Sequence, residues 1–164
     1  MYRATLSISW TEFPVNAPAL RTGHVALNVT DLRRSIDFYS RLFDFEVIAQ
    51  EPDGDRAFAL LASGGALQIT LWQQSSGTFP AGLPGLHHLS FEVADIEAVR
   101  RAEATLKELG VEFAYDGVVP HGEGASSGGV FFFDPDGMRL EIYAPSGADG
   151  SSAPTQGAPT CGFF

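Results

Sequence analysis

Five side chains in this 164-residue sequence have the types and spacing to do chemistry together: His24, Gln68, His88, His121 and Glu141. Glu141 leads. It lies in the run 138–143, where strand alternation puts Met138, Leu140 and Ile142 on one face and Arg139, Glu141 and Tyr143 on the other. A carboxylate in a strand this apolar needs a partner, either a cation such as Arg139 or a metal ion.

The histidines offer that partner. In residues 23–29, GHVALNV, His24 shares the polar face with Ala26 and Asn28; in residues 85–93, GLHHLSFEV, His88 shares it with Ser90 and Glu92. His87 falls with Leu89 and Phe91 on the face toward the following helix, so His88 is the better ligand candidate. The same offset of 64 residues separates His24 from His88 and Asp31 from Asp95, and an offset of 73 relates Gln68 to Glu141. A pattern of strand, helix and three strands therefore occurs twice, the second copy carrying a longer loop at 117–129. If the first and last strands of each copy line one concave surface, His24, Gln68, His88 and Glu141 are equivalent positions on it.

Two imidazoles and one carboxylate leave coordination positions open for a substrate, as non-haem iron sites do. A lone histidine on a strand is ordinarily structural; two at corresponding positions with a carboxylate at a third make a metal site the stronger reading. Gln68 can be a poor oxygen ligand, a hydrogen-bonding group for substrate or an ordinary polar residue. His121, in a Gly-rich loop, is a candidate acid or base and otherwise a solvated loop residue. Phe131, Phe132 and Trp72 belong to the core by default, and whichever faces inward lines the pocket.

The elements that position these residues divide the chain into a leader (1–21), a first module (22–74), a Ser/Gly/Pro linker (75–84), a second module (85–145) and a Gly/Ser/Ala/Pro tail (146–164). The leader has one short strand near 5–10. In the first module, Asp31 caps a helix running to about Phe43, with Leu32, Ile36, Tyr39 and Phe43 inward and Ser35, Asp37 and Arg41 outward. Strands follow at 46–50, 56–62 and 66–73. In the second, Asp95 opens a helix with Ile96, Val99, Leu106 and Leu109 inward and Gly110 as its stop. Asp134-Pro135-Asp136-Gly137 then turns a hairpin whose second arm carries Glu141. The tail is expected to be disordered or extended, and Cys161-Gly162-Phe163-Phe164 a solvated end.

Bulk properties narrow the partners. A net charge of -10 with no basic stripe argues against nucleic acid and anionic membranes. The single cysteine, Cys161, excludes an internal disulfide framework and a cysteine-cluster metal site and suits a reducing compartment. With no signal-peptide pattern and no apolar run near the ~20 residues of a membrane span, a cytoplasmic location is expected.

Residues 22–145 resemble the vicinal oxygen chelate superfamily, which includes glyoxalase I, extradiol dioxygenases, methylmalonyl-CoA epimerase, and fosfomycin and bleomycin resistance proteins. The resemblance rests on GHVALNVTDLRRSIDFYSRLF, LHHLSFEVADIEAV and FFFDPDGMRLEIY. It implies an α+β fold in which two βαβββ modules form a barrel-like mixed sheet, helices outside, around a divalent metal. His24, His88 and Glu141 fall on the family's metal-ligand positions and Gln68 on the fourth, variable one. Glyoxalase I has a glutamate there and the epimerase a glutamine. Extradiol enzymes use only His, His and Glu, with a nearby histidine and tyrosine; His121 lies close to that histidine's position, and Phe131 replaces the tyrosine. Resistance proteins that only sequester a drug lack the ligands.

The resulting expectation is a dioxygenase using iron(II) or manganese(II), with zinc or nickel as further options. Its small-molecule substrate would chelate the ion through adjacent oxygens, with His121 and Glu141 as catalytic residues. A lyase or isomerase moving a proton α to a carbonyl is the alternative, a metal-free binding protein the third. A homodimer is expected from the open module edges.

Overall fold

The computed structural model describes residues 21–162 and 164, so the strand expected near 5–10 lies outside the described residues. In the first module, β1 (Val25–Asn28) leads into α1 (Leu32–Phe43), β2 (Glu46–Glu51), β3 (Phe58–Ser63) and β4 (Ala66–Trp72). Asp31 caps α1 from extended backbone, its carboxylate accepting from the Arg34 N–H at 3.0 Å. The buried face of α1 is Leu32, Ser35, Phe38 and Tyr39, whereas Ile36 and Phe43 are only partly covered. Ser35 therefore points inward, not outward as its polarity suggested. Leu32, Ser35 and Phe38 at three-residue steps meet the helical period as well as Leu32 and Ile36 do, and packing chose the former.

The second module repeats the order with β5 (Leu89–Glu92), α2 (Ile96–Glu108), β6 (Val119–Pro120), β7 (Gly128–Phe133) and β8 (Arg139–Ala144). Asp95 caps α2 through the Ala98 N–H at 2.8 Å, and Gly110 leaves it at φ +68°. The long loop is partly strand: Val119 and Pro120 pair with Gly129 and Gly128. Those glycines are required by contact. A Cβ on Gly129 would stand 2.3 Å from the Ile142 carbonyl oxygen, and one on Gly128 2.5 Å from that of Val119.

Each module forms a four-stranded mixed sheet, in the orders β1-β4-β3-β2 and β5-β8-β7-β6, with the first strand parallel to the last. The fold is α+β. No strand pairing joins the two sheets among the described residues, so the barrel-like arrangement is not a closed barrel.

One core serves both modules. The Phe43 ring at the end of α1 lies 4.3 Å from Phe91 of β5, and the apolar face of β8, Leu140 and Ile142, is buried with Val99 and Leu106 of α2. The Asp134–Gly137 turn is more than a hairpin. Asp134 accepts from Tyr39 Oη at 2.9 Å and from the Met138 and Asp136 N–H groups, while Asp136 accepts from the Thr30 N–H at 3.0 Å and pairs with Arg34 at 2.6 Å. Two carboxylates of the second module thus hold the first helix, Asp136 at its start and Asp134 two turns further along. Burial raises the Asp134 pKa, and burial followed by the Asp134 charge raises that of Tyr39.

Of the tail expected to be disordered or extended, residues 146–162 follow a defined path back to the second sheet. Thr160 is fully buried and opens a 3-10 turn, Thr160–Gly162. No helix among the described residues is long and apolar enough to cross a membrane.

Candidate active site

Strand alternation in β8 sends Glu141 away from α2, and the parallel register places it beside Ser90 of β5. The antiparallel register with β7 puts Phe131 directly across from it. Phe131, rather than Phe132, therefore shares the face of Glu141, and both are almost completely buried. A carboxylate at 3% exposure must be satisfied by its neighbours.

Two imidazoles approach it, one of them within hydrogen-bond distance. His121 Nε2 donates to Glu141 Oε1 at 2.5 Å, and Ser127 Oγ lies 2.9 Å from His121 Nδ1. In a neutral ring that donation puts the proton on Nε2, so Nδ1 accepts from the serine hydroxyl. The second imidazole, His88, brings Nε2 to 3.7 Å from Glu141 Oε2. Burial lowers the His88 pKa, against the pull of the Glu141 carboxylate. A neutral imidazole is the form that binds metal.

His87 does not point to the helix side as its parity suggested. Strand β5 begins only at Leu89, and His87 is exposed, its Nδ1 2.8 Å from His88 Nδ1 and its Nε2 3.4 Å from Arg139 Nη1.

His24 and Gln68 stand apart from this group. Both line a cavity of about 370 Å³ at the seam between the modules, together with Ser90 of β5. No hydrogen bond or ion pair joins His24 to the others among the described residues. Gln68 is turned to its own strand, donating to the Ala66 carbonyl at 3.3 Å.

The strand registers explain its position. Ala26 aligns with Thr70 in the first module as Ser90 aligns with Glu141 in the second, so Thr70, not Gln68, stands where Glu141 does. Counting back from the hairpin misleads because β3 and β4 join through two glycines with a bulge at Leu61/Ala62, whereas β7 and β8 join through residues 134–138.

The donors suit a divalent ion in part. Ligands each ~2.1 Å from one ion commonly lie ~3 to 3.5 Å apart, close to the 3.7 Å between His88 Nε2 and Glu141 Oε2. His121 is too near Oε1 to be a separate ligand and instead orients the carboxylate, as hydrogen bonds to metal-bound groups do. Among the described residues no three His, Cys, Asp or Glu side chains are arranged to hold an ion. A cavity of about 670 Å³ on the helix side, lined by Arg34, Arg41 and Phe133, contains none of the imidazoles.

Three residues around the site had no sequence signal strong enough to assign them. Ser127 is one of two adjacent serines in a loop, Tyr115 packs its ring 5.5 Å from Phe131, and Phe164 lies 5.6 Å from His88. The end expected to be solvated therefore places the Phe164 ring against the site.

Comparison with known proteins agrees with this architecture. The model of the glyoxalase/bleomycin resistance protein/dioxygenase superfamily matches residues 21–142. A catechol-2,3-dioxygenase of Bacillus subtilis (strain 168) is 29% identical over 124 residues, covering 74% of this chain. The match covers only 40% of that enzyme's length. A trivalent organoarsenical cleaving enzyme of Bacillus sp. (strain MD1) is 30% identical over 124 residues, with 76% and 73% of the two chains covered. Among solved structures, a glyoxylase/bleomycin resistance protein/dioxygenase domain from Frankia sp. EAN1pec superposes with a TM-score of 0.67 at 26% identity, covering 77% of this chain and 93% of that one.

Proposed function

Because the chain belongs to the glyoxalase/bleomycin resistance protein/dioxygenase superfamily, we propose that it is a divalent-metal-dependent dioxygenase for a small substrate with adjacent oxygens. The observation that carries the reading is the buried Glu141 carboxylate held between His88 and His121. The relative named a catechol-2,3-dioxygenase supports it.

His88 Nε2 and Glu141 Oε2 would hold the ion, with His24 across the seam as the third candidate donor. Iron(II) or manganese(II) suits two imidazoles and a carboxylate with positions left open; zinc or nickel shares the same donors. The metal would supply Lewis-acid polarisation of the substrate oxygens.

The chain's own residues do the rest. His121 holds a proton at Nε2 beside Glu141 Oε1, where it can exchange one with a substrate hydroxyl as general acid or base. The Glu141 carboxylate, which can only accept, sets that tautomer, the Ser127 hydroxyl meets Nδ1, and the buried Phe131 ring keeps water from the carboxylate. Strand β2, at the edge of its sheet among the described residues and with Val47 and Ile48 exposed, suits association of two copies.

The deciding experiment loads the purified protein with iron(II) or manganese(II) and offers catechol in an oxygen electrode. Metal-dependent oxygen uptake is expected. Bound metal without uptake, together with metal-dependent exchange of a proton α to a carbonyl into heavy water, would replace this reading by a lyase or isomerase.

A further inference from the structure

The segment that follows β8 reaches back to the loop bearing His121 and is tied there. Ala148 donates its N–H to the Ser126 carbonyl at 2.9 Å, Thr160 donates its N–H to the His121 carbonyl at 2.8 Å, and Thr160 Oγ1 donates to the Pro120 carbonyl at 2.7 Å. Gly162 closes the turn that follows this anchor, donating its N–H to the Pro159 carbonyl at 3.1 Å.

Phe164 then lies over the candidate site. Its ring centroid is 4.8 Å from that of Phe131, 5.6 Å from His88 and 5.9 Å from the Arg139 guanidinium carbon. These residues belong to the strand face that carries Glu141, and each favours a π system: Phe131 by an edge-to-face contact, Arg139 by its charge over the ring. The groups that would meet the ring of a flat ligand are already meeting one.

We propose that Phe164 is a built-in plug whose ring occupies the subsite for the ring of an aromatic ligand, so that such a ligand must displace it to reach His88 and Glu141. The anchor at Thr160 keeps the ring close, at high local concentration, and returns it when the site empties. The aromatic character of the ligand rests on the dioxygenase reading as well as on these contacts; the plug itself rests on the geometry alone.

The test uses the full chain and Phe164→Ala. The first measurement is the rate at which diethyl pyrocarbonate modifies His88, followed by peptide mass spectrometry, with exposed His24 as the internal control. His88 should react several-fold faster in the variant and His24 at the same rate. The second is the dissociation constant for catechol, which should fall about 2- to 10-fold, the worth of one aromatic contact. An unchanged His88 rate overturns the plug. Weaker catechol binding in the variant also overturns it, because Phe164 would then be a wall of the site. Catechol bound by neither protein, with His88 unmasked, overturns the aromatic subsite. Failure of oxygen uptake would defeat the dioxygenase reading and leave the His88 result unaffected.

Discussion

His121 and Glu141 are 20 residues apart in sequence and 2.5 Å apart at Nε2 and Oε1, so the loop after α2 delivers a proton-bearing imidazole to the most buried carboxylate of the sheet face. This pairing separates two roles. His121→Ala removes a hydrogen-bonding acid or base and leaves Glu141 Oε2 facing His88, so bound metal should persist while turnover falls roughly 10²- to 10⁴-fold. Glu141→Ala should lose the metal. Metal analysis beside oxygen uptake checks both, and equal metal loss in the two variants would make His121 a ligand.

The clamp between the modules predicts a pH effect. Tyr39 is buried and donates to Asp134 at 2.9 Å, and its pKa is raised in the fold. A raised pKa means the folded state holds the proton more tightly, so this contribution is complete below the unfolded value of 10.0 and is lost as pH climbs above it. Tyr39→Phe should cost ~1 to 3 kcal/mol at neutral pH by leaving a buried carboxylate short of a donor. The variant should also lose less stability than the parent between pH 9 and about 11, a window set around the phenol's ordinary pKa. Urea unfolding at both pH values gives the comparison, and parallel losses would exclude Tyr39 as the titrating group.

Local signals in the sequence carried most of the fold. Asp31 and Asp95 announce their helices because a cap is a contact over three residues, and alternation around Glu141 assigns its face because a strand has only two. The site was half legible for the same reason. His88 and Glu141 could be paired through strand parity, but the closeness of His121 depends on how a loop closes, which no period encodes. Gln68 shows the limit of repeat arithmetic: an offset of 73 matches the two strand runs by sequence, but the registers beside the first strands match Thr70 with Glu141, an offset of 71. Asp134 and Asp136 read as turn formers, and only the packing of α1 against that turn reveals their hold on Tyr39 and Arg34.

The close approach at Gly129 yields a prediction about the sheet beneath the site. A methyl group there would press on the Ile142 carbonyl oxygen and on Tyr143 Cα, both backbone atoms that cannot swing aside. Gly129→Ala should therefore spread β7 from β8 and destabilise the protein by ~1 to 3 kcal/mol. Gly77→Ala, where nothing lies within 4 Å and φ is not in the left-handed region, is the control and should change stability little. A thermal shift as small in Gly129→Ala as in the control would show that the strands yield.

The expected homodimer has a specific address. Among the described residues β2 pairs with β3 on one side only, and its other side is an edge on which Ile48 is 55% and Val47 37% exposed. Soluble chains usually protect such an edge with a charge or proline; here Glu46 and Glu51 stand at its two ends, and Val47 to Ala49 between them are apolar. A second copy meeting it by a two-fold axis would cover the same two side chains from both partners. Light scattering at tens of micromolar should give the mass of two chains. Ile48→Lys places like charges near the axis and should shift the equilibrium toward a single chain without lowering the unfolding temperature of that chain. A parent protein that stays monomeric at high concentration, or an Ile48→Lys variant that remains fully dimeric, would remove β2 as the contact.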